Sequence, residues 1–168
     1  MEKKPIETDR YLLGKGKFKF ACNETVPCFT RCCHNADMLL YPYDIIRLKH
    51  HLGLTSEQFL VVHTITAFRD DPYFPNVMLK MRQEENQPCP FLAQAGCTVY
   101  ENRPYSCRAY PLEPGIGDDG KGGFKISCYK VEHEYCQGHG TGKDWTPDQW
   151  MTDQGMDTYN THNSAWAR

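Results

Sequence analysis

Apolar and polar residues alternate over Lys17-Phe-Lys-Phe-Ala21, which predicts a short half-buried strand leading into the first cysteines. Residues 42–52 place Ile45, Ile46, Leu48 and Leu52 at mixed helical spacing, with Pro42 suited to a helix start and Gly53 to its stop. Thr55-Ser-Glu-Gln58 has the form of a capping box, so a second helix is expected through Phe59, Leu60, Val62 and His63, against the weak helical propensity of Val61 and Val62. Asp70–Pro75 reads as a turn, and Asn76–Arg82 as a strand with Val77, Leu79 and Met81 on one face. From Pro88 to Pro114 the chain is rich in Cys, Pro, Gly and Tyr and predicts short irregular pieces. Gly115–Gly123 predicts a hairpin-type loop before a strand at Phe124–Cys128. Thr146 as cap and Pro147 in the first helical position open a last helix, whose Trp145–Trp150 stretch is a candidate interface. Beyond Gly155 the chain turns polar, with Trp166 the last expected anchor. The class expected is α+β: a small single domain over residues 1–168, with helices flanking irregular cysteine-rich loops and a few short strands. Within it, residues 20–140 form the cysteine-bearing core and 141–168 a C-terminal helical extension.

Composition narrows the function. In 168 residues, 19 Lys+Arg face 21 Asp+Glu, a net charge of -2 that disfavours a basic nucleic-acid binder, so no nucleic-acid partner is expected. The charged N-terminus Met1–Arg10 has no apolar signal-like core, and stretches such as Phe59–Val62 fall far short of the roughly 18–20 residues of a membrane span. The expected location is therefore the cytoplasm, without a membrane partner, where thiols stay reduced and clustered cysteines more often bind metal than pair. Nine cysteines are too few for a small disulfide scaffold of this length, and their number is odd. No Gly-rich phosphate loop opens a helix, and no GxSxG, HExxH or radical-SAM Cys-x3-Cys-x2-Cys pattern is present.

The cysteines fall as Cys22-x5-Cys28-x3-Cys32-Cys33, followed by Cys89, Cys97, Cys107, Cys128 and Cys136. Zinc in a structural site takes four donors in a tetrahedral shell about 2.3 Å from each sulfur, and iron–sulfur clusters are likewise held mostly by four thiolates. Eight cysteines would serve two such sites. On extended backbone, adjacent Cys32 and Cys33 would point to opposite faces and serve different ions, whereas in a tight turn they could converge. A third reading makes one of them a small buried hydrophobe.

Cys28-Phe-Thr-Arg-Cys-Cys33, Cys89-Pro-Phe-Leu-Ala-Gln-Ala-Gly-Cys97-Thr-Val-Tyr-Glu-Asn-Arg-Pro104 and Cys107-Arg-Ala-Tyr-Pro111 resemble the YkgJ-type cysteine-cluster proteins, a family of zinc- or iron-chelating domains. The resemblance covers roughly residues 20–140. It implies metal ligands among Cys28, Cys32, Cys33, Cys89, Cys97 and Cys107. Cys136-Gln-Gly138 resembles the family's terminal Cys-Gly element and so favours Cys136 over Cys128. The family often spaces its first cysteines as Cys-x2-Cys-x2-Cys-Cys, and the x5 and x3 gaps here bear most on Cys22, the eighth candidate ligand. Flagellin lysine methylases that carry iron–sulfur centres resemble the family in this region. One or two iron–sulfur clusters, of the [4Fe-4S] type, are therefore the expected cofactor, serving redox chemistry or modification of a protein or peptide. The expected partner is that substrate or an electron donor. The alternative is zinc in a binding module without catalysis.

Side chains near the cysteines fit such a centre. Arg31, Arg103 and Arg108 lie close to them in sequence, and a guanidinium lowers a thiol pKa or offsets cluster charge, so Arg103 and Arg108 are candidate cofactor-binding residues. An equal alternative pairs Glu101 with Arg103 to hold the local turn. Tyr100, Tyr105 and Tyr110 are expected to wall a site from solvent. His34, His133 and His139 are near cysteines but not needed as ligands, and His50, His51 and His63 are expected to be ordinary helix residues.

Overall fold

The computed structural model describes residues 8–68, 73, 75–118 and 124–166. Its strands are β1 (Thr8–Leu12), β2 (Phe18–Phe20), β3 (Thr64–Ala67), β4 (Asn76–Leu79), β5 (Leu92–Ala93), β6 (Gly96–Cys97), β7 (Leu112–Asp118), β8 (Phe124–His133) and β9 (His139–Trp145). Its helices are α1 (Pro42–His51), α2 (Ser56–His63), α3 (Tyr105–Ala109), α4 (Pro147–Asp153) and α5 (Met156–Trp166). The α+β class is as expected. The chain divides into two compact units, one made of the residues up to Arg31 with Ala109–Gln154, the other of Cys32–Arg108 with the residues from Gly155. Among the described residues, no helix is long and apolar enough to cross a membrane.

The first unit is built on strands. β1, β8 and β7 form an antiparallel sheet in that order, and β2 pairs with β9. Phe18 and Phe20 point the same way from β2, as the alternation predicts, and bury with Leu112, Trp145 and Trp150. Buried indoles need acceptors. Trp145 Nε1 donates to the Phe20 carbonyl at 3.1 Å, and Trp150 Nε1 to the Ala109 carbonyl at 2.9 Å. Trp145 and Trp150 are therefore core residues, and Asp148 and Gln149 are the exposed side chains between them. α4 starts where expected, with a capping box in which Gln149 N–H meets the Thr146 hydroxyl at 3.3 Å and Thr146 N–H meets Gln149 Oε1 at 3.0 Å. β9 has too little apolar content to announce itself. It forms because β2 supplies the pairing, and its left-handed Gly140 and Gly142 adopt a conformation that side chains resist.

The second unit is built on helices. Leu40, Leu48, Phe59, Leu79, Phe91 and Val99 form its core, with Met38, Ile45, Leu52, Cys89 and Cys97 packed against it. α1 and α2 match their expected bounds, and Gly53 takes the left-handed stop conformation. α2 gives way at once to β3, because the β-branched Thr64-Ile-Thr66 run pairs antiparallel with β4. β4 ends at Leu79, three residues before the expected limit. Met78 and Leu79 are both buried, since β4 pairs with β3 along one edge and with Leu39 at an isolated bridge. The 88–114 stretch is broken into short pieces, as its composition predicts, whereas the Asp70–Pro75 turn falls largely outside the described residues. β7 runs to Asp118, so the first four residues of the expected hairpin loop are strand, and 119–123 lie outside the described residues. Beyond Gly155 the chain forms α5. Tyr159 is buried and Trp166 is half exposed, edge-on to Tyr41.

Asp44 is wholly buried and ties two helices together. Its Oδ2 accepts Tyr41 N–H at the start of α1, and its Oδ1 accepts Tyr105 N–H at the start of α3, both at 2.8 Å. Burial pushes its carboxyl up to about 6, against the pull of those two amides and of Arg108. The folded carboxyl holds its proton up to about pH 6 while the unfolded one releases it near 3.8, so stability falls as pH rises between those values. The expected fall is roughly 3 kcal/mol at most, and Asp44→Asn should remove it. Urea unfolding of both proteins from pH 4 to 7 checks this, and parallel pH slopes would contradict it.

Gly138 has no room for a side chain. A Cβ there would lie 2.3 Å from the Ala21 carbonyl oxygen and 2.9 Å from the Phe20 ring, while Gly138 accepts Ala21 N–H at 3.2 Å. Gly138→Ala is expected to cost about 1–3 kcal/mol by forcing β2 and β9 apart. Gly140 has open space around its Cβ position, so Gly140→Ala should cost only its backbone strain. Melting curves of the two variants give the comparison.

Candidate metal centre

Five cysteines share the helical unit: Cys32, Cys33, Cys89, Cys97 and Cys107. Cys32 and Cys33 sit in a 3-10 turn over Arg31–Cys33, where their thiols hydrogen-bond each other. The tight-turn reading of the pair is the one observed. Cys89 N–H donates to the Cys33 carbonyl at 2.7 Å, His34 bridges to Pro88, and Asn35 N–H reaches the Asn86 and Gln87 carbonyls. Asn35, Asn86 and Gln87 take left-handed backbone to make this crossing, which Asn tolerates better than most residues. Cys89 then meets the β5–β6 hairpin, in which Leu92 is paired with Cys97 and Leu92 N–H bonds to the Cys89 carbonyl. Cys107 rides on α3, with its Sγ 3.7 Å from the Met38 Sδ.

The thiols sense one another. Cys32 is pulled down to about 7, chiefly by the hydrogen bond from Cys33, which is pushed up by the same bond, by burial and by repulsion from Cys32, Cys107 and Cys89. Cys107 is exposed as a residue, yet the crowding around its sulfur pushes the thiol up, followed by repulsion from Cys32, Cys89 and Cys97. Burial likewise raises Cys89 and Cys97, each partly relieved by a backbone N–H two residues on, from Phe91 and Val99 respectively. Five sulfurs that resist joint ionisation are the chemistry a polyvalent cation or cluster resolves, because ligation requires thiolates. Among the described residues, no three Cys, His, Asp or Glu donors already surround one ion-sized point.

The arginines divide. Arg103 lowers both Cys97 and Cys107, while its Nη1 donates to the Tyr100 carbonyl at 2.8 Å and its guanidinium lies over the Tyr100 ring. Arg108 is buried, donates to the Glu101 carbonyl at 2.7 Å and faces the Tyr159 ring. Arg47 shares that carbonyl at 3.0 Å, so the Tyr100–Asn102 turn is held through main-chain oxygens. Arg82 escaped the sequence reading because it precedes Cys89 by a loop. Its Nη2 binds the Cys89 and Leu92 carbonyls at 3.1 and 2.7 Å, and its charge lowers Cys89. Of the tyrosines, Tyr105 is buried in the helical unit with its hydroxyl on Asn160, Tyr100 is exposed, and Tyr110 belongs to the strand unit.

Cys22, Cys28, Cys128 and Cys136 belong to the strand unit. Gln137 N–H donates to the Cys28 Sγ at 3.1 Å. Cys136 hydrogen-bonds Cys28, the Tyr110 hydroxyl and Gly138 N–H, and burial raises its thiol. Cys22 is exposed. Cys128 packs against the Phe18–Trp150 core, raised by burial and by Asp148. His133 stacks between Tyr110 and Tyr135, His139 Nε2 lies 2.9 Å from the Tyr110 hydroxyl, and burial lowers both imidazoles.

The family model called CxxCxxCC, described as "Putative zinc- or iron-chelating domain", matches residues 21–137. No curated protein and no solved structure matches the chain. The matched span opens one residue before Cys22 and closes one after Cys136, so it takes in every cysteine described above, and by it the chain belongs to the CxxCxxCC family of zinc- or iron-chelating domains.

Proposed function

We propose that Cys32, Cys33, Cys89, Cys97 and Cys107 hold a thiolate-ligated iron–sulfur cluster of the [4Fe-4S] type, used to pass electrons or to support modification of a protein or peptide. The observation that carries this reading is the convergence of five mutually repelling thiols from three chain segments. A four-iron cluster takes four thiolates, and the donor set exceeds that number by one. Phe91 and Val99 amides directed at Cys89 and Cys97, with Arg82 and Arg103 beside them, offset thiolate charge. Such contacts set the potential of a cluster, which when bound supplies one-electron chemistry. Arg103 is the cofactor-side arginine in this reading, whereas Arg108 supports the turn that carries it.

A second reading has its own observation. Cys89 and Cys97 pack against the Leu48–Phe59 core, so zinc there would act as a staple for the helical unit, without catalysis. The two readings differ in the laboratory. A cluster protein is brown and bleaches on reduction, while a zinc module is colourless and unfolds with a chelator, because its metal binding energy is folding energy.

Serine offers a harder donor than thiolate. Cys89→Ser and Cys97→Ser are expected to lower bound metal by about an order of magnitude or more and to lower the melting temperature with it. Cys128→Ser should keep its metal. Elemental analysis of the three purified variants is the check. Full metal content and unchanged melting in Cys89→Ser and Cys97→Ser would overturn the proposed ligand set.

A further inference from the structure

One edge of β3 is open. β4 uses both of its own edges: it pairs with β3 on one side, while on the other Leu40 N–H donates to the Val77 carbonyl at 2.9 Å and Leu79 N–H to the Met38 carbonyl at 2.8 Å. In an antiparallel pair, opposed residues turn their main-chain groups either both inward or both outward. Thr64 opposes Leu79 and Thr66 opposes Val77, so Thr64 and Thr66 direct theirs away from β4. Thr64 N–H is taken by the Leu60 carbonyl, which leaves the Thr64 carbonyl and both main-chain groups of Thr66 on the open side. Edge strands are ordinarily blunted by a charge, a proline or a bulge. β3, Thr64-Ile-Thr-Ala67, has none of these, and no described strand other than β4 pairs with it. The surface beside the edge is apolar. Leu60, Val61 and Val62 of α2, Ile65 of β3 and Phe68 just beyond it are between 39 and 71 % exposed. They offer on the order of 500 Å² on one copy and so about 1,000 Å² on two, the area at which specific interfaces begin. From Phe59 to Phe68 the chain has no Asp, Glu, Lys or Arg. A twofold axis sets each residue near its own image, so a charged face repels itself and a neutral one does not. The same neutrality gives an acidic or basic partner nothing to pair with.

We propose that β3 pairs antiparallel with β3 of a second copy of this chain, about a twofold axis through Ile65, and that this face makes the protein a dimer. Thr66 N–H donates to the Thr64 carbonyl of the second copy, and the second copy returns the same bond. The two Ile65 residues then meet as a non-hydrogen-bonded pair, the closer of the two antiparallel kinds. The two-stranded sheets join into one four-stranded sheet, in the order β4-β3-β3-β4. Leu60, Val61, Val62 and Phe68 supply the apolar area around that seam, and pairing both edges with each other leaves no edge to recruit a third copy.

The test is sedimentation velocity of the full chain, purified without oxygen, at about 100 µM, where a micromolar dissociation constant leaves most of it paired. The expected mass is twice the 19.4 kDa of one chain. Ile65→Lys and Ile65→Asp each set like charges against each other across the axis, so each should run at the mass of one chain, with unchanged metal content and circular dichroism. Mixed in equal parts they should regain the doubled mass, because Lys then faces Asp, and that recovery also shows both variants to be folded. Val61→Lys, at the most exposed of the five apolar positions, is expected to raise the dissociation constant about tenfold. Leu12→Lys, equally exposed but in the strand unit, should leave the dimer intact. Three outcomes overturn the proposal. One is a wild-type chain that stays at the mass of one copy, which would leave the face to a different protein. Another is a dimer that survives both Ile65 variants. The third is a mass that climbs past two copies with concentration, since a closed twofold stops at two.

Discussion

The bond from Cys89 N–H to the Cys33 carbonyl, with the His34–Pro88 bridge beside it, is the constraint on which the helical unit's chemistry depends. It lays the chain just after the first cysteine run along the chain just before the second. With that crossing made, Cys89 acts on Cys33 by its charge, and across the β5–β6 hairpin Cys97 acts on Cys89 in the same way. Asp44 performs the corresponding task for Cys107, fixing the start of α3 to the start of α1 through two main-chain amides. The cysteines of three separated segments are thereby positioned through main-chain hydrogen bonds and one buried carboxylate.

The electrostatics follow from that assembly. Thiols brought close in a half-buried place cannot all ionise, and this cluster divides the strain unequally, with Cys32 lowered and Cys33, Cys89, Cys97 and Cys107 raised. Arg82, Arg103 and two backbone amides relieve part of it. Crowded thiols with cationic neighbours suit either iron or zinc, whose charge would let them ionise together. The family match gives the same pair of metals.

Much of this was legible in the sequence wherever the signal is local. Pro42 and Gly53 bound α1, Thr55 and Gln58 cap α2, Thr146 and Gln149 cap α4, and Phe18 with Phe20 mark β2. The cysteine string identified the family because its spacing is dense and specific. What stayed hidden depends on distant partners. β9 is a strand only because β2 lies beside it, and β3 follows α2 without any breaker residue. The division of the cysteines between two units cannot be read from spacing, because Cys28 and Cys136 are far apart in sequence. Arg82 and Asp44 carry no sequence signal for their roles, and only folding shows that both bind main-chain atoms around the thiols or their helices.

X-ray absorption at the metal edge of the full chain, purified without oxygen, tests the central claim most directly. The expected result is iron in an all-sulfur first shell about 2.3 Å away, with a second shell of iron. A first shell of oxygen and nitrogen, or sulfur ligation absent from every metal found, would contradict a thiolate centre on Cys32, Cys33, Cys89, Cys97 and Cys107.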